Sequence, residues 1–173
     1  CGLRSSSFFT GHRKALPTMI MVETMMKLLA LSDAAEQMRF AIHCARHNPE
    51  FVAALKDEAT LILRNDIQTS SKLSELLLRL AQVTRDPLHR ALGLLAQANC
   101  RSLGGKGEYQ AAIEQYEDAA TIYRQAGLPV EEGRANIGRV LALGQLGRYQ
   151  EALAVGGYAQ QIFESHQQWF QLA

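Results

Sequence analysis

The residues best suited to chemistry are few and scattered. His43, Cys44 and His47 lie in the run HCARH, which places two imidazoles at i and i+4 on one helical face, a spacing that a metal can bridge. The glutamate that would act as general base between two such histidines is missing, and no third ligand lies nearby. Histidines at a helix end also interact favourably with its dipole, so the pair reads as surface residues and no metal is assigned. Leu103-Gly104-Gly105-Lys106-Gly107 has the glycines of a phosphate loop but neither its four-residue spacer nor its Lys-Ser/Thr. A turn between helices accounts for it. Cys100 falls on an apolar face without an activating base near it in sequence, which makes it a packed thiol and not a nucleophile. No catalytic set emerges. The chain is expected to be neither an enzyme nor the holder of a cofactor.

Composition narrows the partners. The 173 residues are 47% hydrophobic and 20% charged, enough for an ordinary core. Lys plus Arg (18) and Asp plus Glu (17) nearly cancel, and without a basic stripe no nucleic-acid partner is expected. Three widely spaced cysteines, Cys1, Cys44 and Cys100, suit a reducing compartment, and a cytoplasmic location is expected. The most apolar run, Met19 to Leu31, follows Arg13 and Lys14 as a signal peptide would. Glu23 and Lys27 interrupt it and no cleavage site follows, so it reads as an amphipathic helix and no membrane partner is expected. A first residue Cys1 in place of Met fits a fragment or a processed chain. Cys1-Gly2 also fits a lipidated mature end.

The elements that would position any site repeat. LGGKGEYQAAIEQYEDAATIY (103–123) and LGQLGRYQEALAVGGYAQQIF (143–163) agree at Leu103/Leu143, Gly104/Gly144, Gly107/Gly147, Tyr109/Tyr149, Gln110/Gln150, Ala112/Ala152, Ala119/Ala159 and Ile122/Ile162. Every pair is 40 residues apart. The prolines at Asn48-Pro49, Asp86-Pro87 and Leu128-Pro129 are spaced 38 and 42 residues apart, averaging the same period, each expected at the first position of a helix and the third without a capping side chain. A period in this range marks a solenoid of stacked helix pairs. No window alternates with period two, so the expectation is all-α, a right-handed α-α superhelix.

Residues 1–17 read as a loose arm and 18–48 as capping helices, with Asp33-x-x-Glu36 in capping-box spacing. A divergent helix pair is expected over 49–86, breaking at Arg64-Asn65-Asp66, and further pairs over 87–128 and 129–168. Residues 169–173 read as the start of another helix. The apolar stripes are Phe51, Leu55, Ala59, Ile62 and Leu63; Leu73, Leu76, Leu77, Leu80 and Val83; Leu88, Ala91, Leu95, Ala98 and Leu103. Tyr109, Ala112, Ile113, Tyr116, Ala119 and Tyr123 come next, then Ile137, Val140, Leu141 and Leu143, and last Tyr149, Ala152, Leu153, Ala159, Ile162 and Phe163. Met19, Met21, Met25 and Met26 offer either a soft partner surface or an N-terminal cap. Gly156-Gly157 in mid-helix costs roughly 1 kcal/mol per glycine relative to alanine, and either close packing or a bend would explain it.

Cys100, Gly107, Tyr109, Ala112, Tyr116 and Ala119 match the tetratricopeptide pattern small-x6-Gly-x-Tyr-x2-Ala-x3-aromatic-x2-Ala. Val140, Gly147, Tyr149, Ala152 and Ala159 match it again, with Gly156 in place of the aromatic. The chain thus resembles the tetratricopeptide repeat family. It lacks the early tryptophan, and its longer period and link (QAGLPVEE) are similar to the variety found in bacterial regulatory proteins. The resemblance implies a protein–protein interaction scaffold whose first helices line a groove for a peptide or partner helix. It places Gln97, Arg101, Arg134, Ile137, Leu141 and Gln145 there, with Asn136 either contacting the ligand or joining neighbouring helices. The alternative it implies is the sensor portion of a larger signalling protein, beside a caspase-like protease or an ATPase or transcription-factor module. An apolar end at Trp169, Phe170 and Leu172 suggests a homodimer through terminal helices.

Overall fold

Residues 19–104 and 107–166 are described by a computed structural model, and their regular structure is wholly helical, without a strand. The helices are α1 (Met19–Ala30), α2 (Ala34–His47), α3 (Phe51–Ile62), α4 (Ile67–Thr84), α5 (Pro87–Leu103), α6 (Tyr109–Gln125), α7 (Pro129–Gln145) and α8 (Tyr149–Ser165). From α1 to α8, each packs on the next. Further contacts join α1 to α3, α2 to α4, α3 to α5 and α5 to α7.

Local chemistry sets the boundaries. Asp33, Asp66 and Asp86 accept hydrogen bonds from the backbone N–H groups of Glu36, Thr69 and Leu88, at 2.8, 2.9 and 2.8 Å, which otherwise have no partner at a helix start. Pro87 and Pro129 open α5 and α7 as expected, the second without a side-chain cap. Pro49 does not open its helix. Asn48 accepts from the Glu50 N–H at 3.0 Å in a turn, and α3 begins at Phe51. At the end of α6, Gly127 (φ 69°) donates to the Arg124 carbonyl and Leu128 to that of Tyr123. Gly147 (φ 72°) and Arg148 repeat the arrangement on Gly144 and Leu143. Both are Schellman closures, and the left-handed backbone they need is open to glycine without steric cost.

The link after α6 is shorter than the sequence suggests. Only Ala126–Leu128 connect the helices, and Pro129-Val130-Glu131-Glu132 form the first turn of α7. Five positions assigned to apolar stripes face solvent: Val83 (50% exposed), Leu103 (62%), Leu141 (58%), Tyr149 (66%) and Leu153 (70%). Met21 and Met25 are buried, whereas Met19 and Met26 are open to solvent.

The two halves of the molecule fill their cores differently. Between α1 and α4 the core is built from large side chains, with Leu28, Phe51, Leu55, Leu77 and Leu80 fully buried. From α5 onward it is built from alanines with a few large residues: Ala91, Ala119, Ala120, Tyr123 and Ala135 in one cluster, Ala98, Ala112, Ile113, Tyr116, Ala142 and Leu143 in another. Small residues let the helix axes approach, and aromatics occupy the notches left by glycine. A β-carbon on Gly138 would stand 2.4 Å from the Tyr116 ring, and one on Gly133 would stand 2.7 Å from Phe163. Tyr116 has no room to retreat. Its hydroxyl donates to Asn99 Oδ1 at 2.6 Å and accepts from Ser102 Oγ at 3.1 Å. Burial raises its pKa, and the Ser102 hydrogen bond opposes that rise.

Gly138 and Gly144 give a matched test on one helix, since a β-carbon at Gly144 would meet nothing within 4 Å. Gly138→Ala is expected to lower stability by about 1–2 kcal/mol, overpacking outweighing the gain in helix propensity. Gly144→Ala is expected to raise it by up to about 1 kcal/mol. Urea denaturation midpoints check both.

Candidate functional site

The Asp86 cap and Pro87 fix where α5 begins, and therefore which way Gln97 and Arg101 point. Both line a recess of about 170 Å³ whose other wall is Ile67, Ser71 and Glu75 of α4. Gln97 Oε1 accepts a hydrogen bond from Gln115 Nε2 on α6, while the buried Gln115 Oε1 has no hydrogen-bond partner among the described residues. Arg101 Nε lies 3.5 Å from Glu108 Oε2. The recess is therefore polar, with one arginine and two carboxylates, Glu75 and Glu108, among its lining residues.

Cys100 also reaches this recess, beside Ser70 of α4. Ser70 Oγ donates its one proton to the Ala59 carbonyl at 2.6 Å. The 3.1 Å contact between Ser70 Oγ and Cys100 Sγ must then be a hydrogen bond donated by the thiol. The thiol is buried, in keeping with a packed residue.

On α7, Arg134, Ile137, Leu141 and Gln145 share one face, at helical spacing. Ile137 and Leu141 are the 40-residue equivalents of Gln97 and Arg101. Arg134 Nη1 pairs with Glu131 Oε1 at 2.7 Å; Ile137 is half-buried, Leu141 is 58% exposed and Gln145 is exposed. None of the four lines the α4/α5 recess. Asn136 is buried, and its Nδ2 donates back to the Glu132 carbonyl of its own helix at 3.1 Å. Trp169, Phe170 and Leu172 lie outside the described residues. On α2, the rings of His43 and His47 stand 4.3 Å apart, with His47 Nδ1 2.8 Å from the His43 carbonyl. Among the described residues no three His, Cys, Asp or Glu side chains gather to hold a metal.

Sequence reasoning missed two features. The α4 wall of the recess carries no repeat signal, because α3 and α4 depart from the pattern that α5 to α8 share. Glu132 was hidden by the apparent link. As part of α7 it is 4% exposed and stands beside Gly133 on the buried face. Arg124 Nε of α6 and the Tyr158 hydroxyl of α8 each donate to Glu132 Oε1 at 2.8 Å. The Arg124 guanidinium also lies 5.8 Å from the centroid of the Tyr158 ring. One carboxylate thus ties three successive helices. Nearby, Tyr123 has its pKa raised by burial and, secondarily, by the charge of Glu131.

Glu132→Ala leaves the Tyr158 hydroxyl and the Arg124 guanidinium without their acceptor. Arg124 is 57% exposed, so solvent recovers part of the loss. The expected cost is about 1–2 kcal/mol. Glu132→Gln, which retains an acceptor oxygen, should lose less, as thermal denaturation of the pair will show.

No protein-family model, no curated protein and no solved structure matches the chain.

Proposed function

We propose that this chain is a non-catalytic protein–protein interaction module of tetratricopeptide type, a right-handed solenoid that binds a peptide or a partner helix. The observation that carries this reading is the repeat itself, at the level of helices. The pairs α5–α6 and α7–α8 consist of helices of 17 residues each, and glycines of the same left-handed conformation stand 40 residues apart at Gly107 and Gly147. The contacts of α3 with α5 and of α5 with α7 favour first helices that line one common face. A stack of this kind binds because it is already ordered. Its partner loses freedom on association while the scaffold loses little.

The occupant's chemistry follows from the side chains assigned to the groove. Gln97 supplies amide hydrogen bonds, Arg101 and Arg134 supply guanidinium groups already balanced by Glu108 and Glu131, and Ile137 and Leu141 supply apolar contact. A peptide with one apolar anchor flanked by polar groups suits this face better than a strongly acidic one. Asn136, buried with its amide bonded back to its own helix, is read here as a packing residue.

Peptides selected from a random library on the whole chain test the reading. Binders are expected to weaken at least tenfold on Leu141→Asp and measurably on Gln97→Ala, with Met26→Asp, an exposed position on α1, as the control. Binders indifferent to Leu141 and Gln97 would overturn it. Isothermal titration of each variant provides the measurement.

A further inference from the structure

The glycines of α8 have no purpose within the described molecule. A β-carbon at Gly157 would meet nothing within 4 Å, and one at Gly156 would make only ordinary contact with Val140, at 3.7 Å. Gly138 and Gly133, by contrast, are notches filled by Tyr116 and Phe163. Two glycines in mid-helix are unfavourable unless something approaches the backbone closely. Here, none of the described residues does.

The repeat indicates what kind of body would approach. Along α6, Ile113, Tyr116 and Ala120 are buried at 2–3% exposure, in the clusters that also hold Ala135, Ala142 and Leu143 of α7. Their equivalents 40 residues on are Leu153, Gly156 and Gln160 of α8, and Leu153 is 70% exposed. The same helix face is covered in one repeat and open in the next, among the described residues. What covers it in α6 is an antiparallel helix. A recess of about 500 Å³ marks the open face, bounded by Val140, Tyr149, Leu153 and the two glycines.

We propose that this face is a self-docking surface, on which two copies of the chain pair their α8 helices antiparallel about a two-fold axis passing between Gly156 and Gly157. The register argues for a second copy over an unrelated helix. Tyr149, Leu153, Gly156, Gly157, Gln160 and Glu164 share one side of α8. About that axis, Gly156 falls opposite Gly157 of the second copy, Leu153 opposite Gln160, and Tyr149 opposite Glu164. The backbones therefore meet where there are no side chains. Each Leu153 enters the other copy's recess against the stem of Gln160, and at both rims a phenol faces a carboxylate that can accept its proton in a hydrogen bond. No like charges oppose one another. A two-fold contact demands this self-complementarity, which a helix face shaped for a different partner has no reason to possess. The surface is independent of the groove on α5 and α7 and does not rest on the groove reading.

Light scattering on the whole chain decides it. The wild type is expected to be a dimer of the 19.1 kDa chain. Gly157→Glu puts two carboxylates on the axis and is expected to halve the mass. It should retain the helical far-UV circular dichroism of the wild type, because the new side chain points into open space on a helix. Leu153→Glu, at an exposed position, gives the same test should Gly157→Glu impair folding. A Trp169→Glu, Phe170→Glu double variant is expected to remain dimeric. A monomeric wild type at high micromolar concentration overturns the proposal, as does a dimer that survives both α8 substitutions or one that the double variant dissolves.

Discussion

The second half of the molecule depends on an aromatic ring occupying the space of a missing side chain. Tyr116 lies where a β-carbon on Gly138 would stand, and Phe163 does the same at Gly133. These contacts bring α7 close to the helices on either side of it, and the alanines around them are buried because the axes are close. The polar groups then follow. Tyr116 sits deep enough that its hydroxyl needs partners, and Asn99 and Ser102 of α5 supply them. Glu132, brought inside next to Gly133, needs donors, and Arg124 and Tyr158 supply them from either side. The polar ties are consequences of close packing. They add specificity to an arrangement that shape complementarity has already selected.

Much of this was legible in the residues because the two repeats share it. The turn glycines Gly107 and Gly147, the buried alanines Ala112, Ala119 and Ala159, and the proline starts at Pro87 and Pro129 all sit where spacing placed them. What the sequence obscured was the phase of α7. Pro129 marks a helix start, but the two glutamates after it look like solvated link, and only packing against α8 makes one of them a core residue. The exposed stripe positions were misread for a related reason. Periodicity identifies an apolar face, but whether that face is covered depends on a neighbour. Leu153 and Ile113 are alike in sequence and differ only in what lies over them.

The candidate groove was less accessible to sequence reasoning. Gln97 and Arg101 emerged from repeat position, but the wall opposite them comes from α4, whose Ile67, Ser71 and Glu75 belong to no visible repeat. A surface assembled from one regular and one divergent helix gives half its residues to pattern recognition and withholds the rest. Cys100 makes the same point in reverse. Its apolar position suggested a packed thiol, and the hydroxyl that accepts its S–H hydrogen bond belongs to Ser70, thirty residues earlier.

Nearly all the packing joins helices that are adjacent, or next but one, in the chain. Loops closed between such neighbours are short, so little chain entropy is lost before each contact begins to stabilise, and folding should be fast for a protein of this size. The order of assembly also follows. The leucine-rich core of α1 to α4 leaves the ribosome first and is completed by Leu92 and Ala96 of α5, whereas the alanine-rich layers gain their stability by being laid on a surface already in place. A nascent chain can therefore mature from one end, with each new helix pair arriving at a finished template.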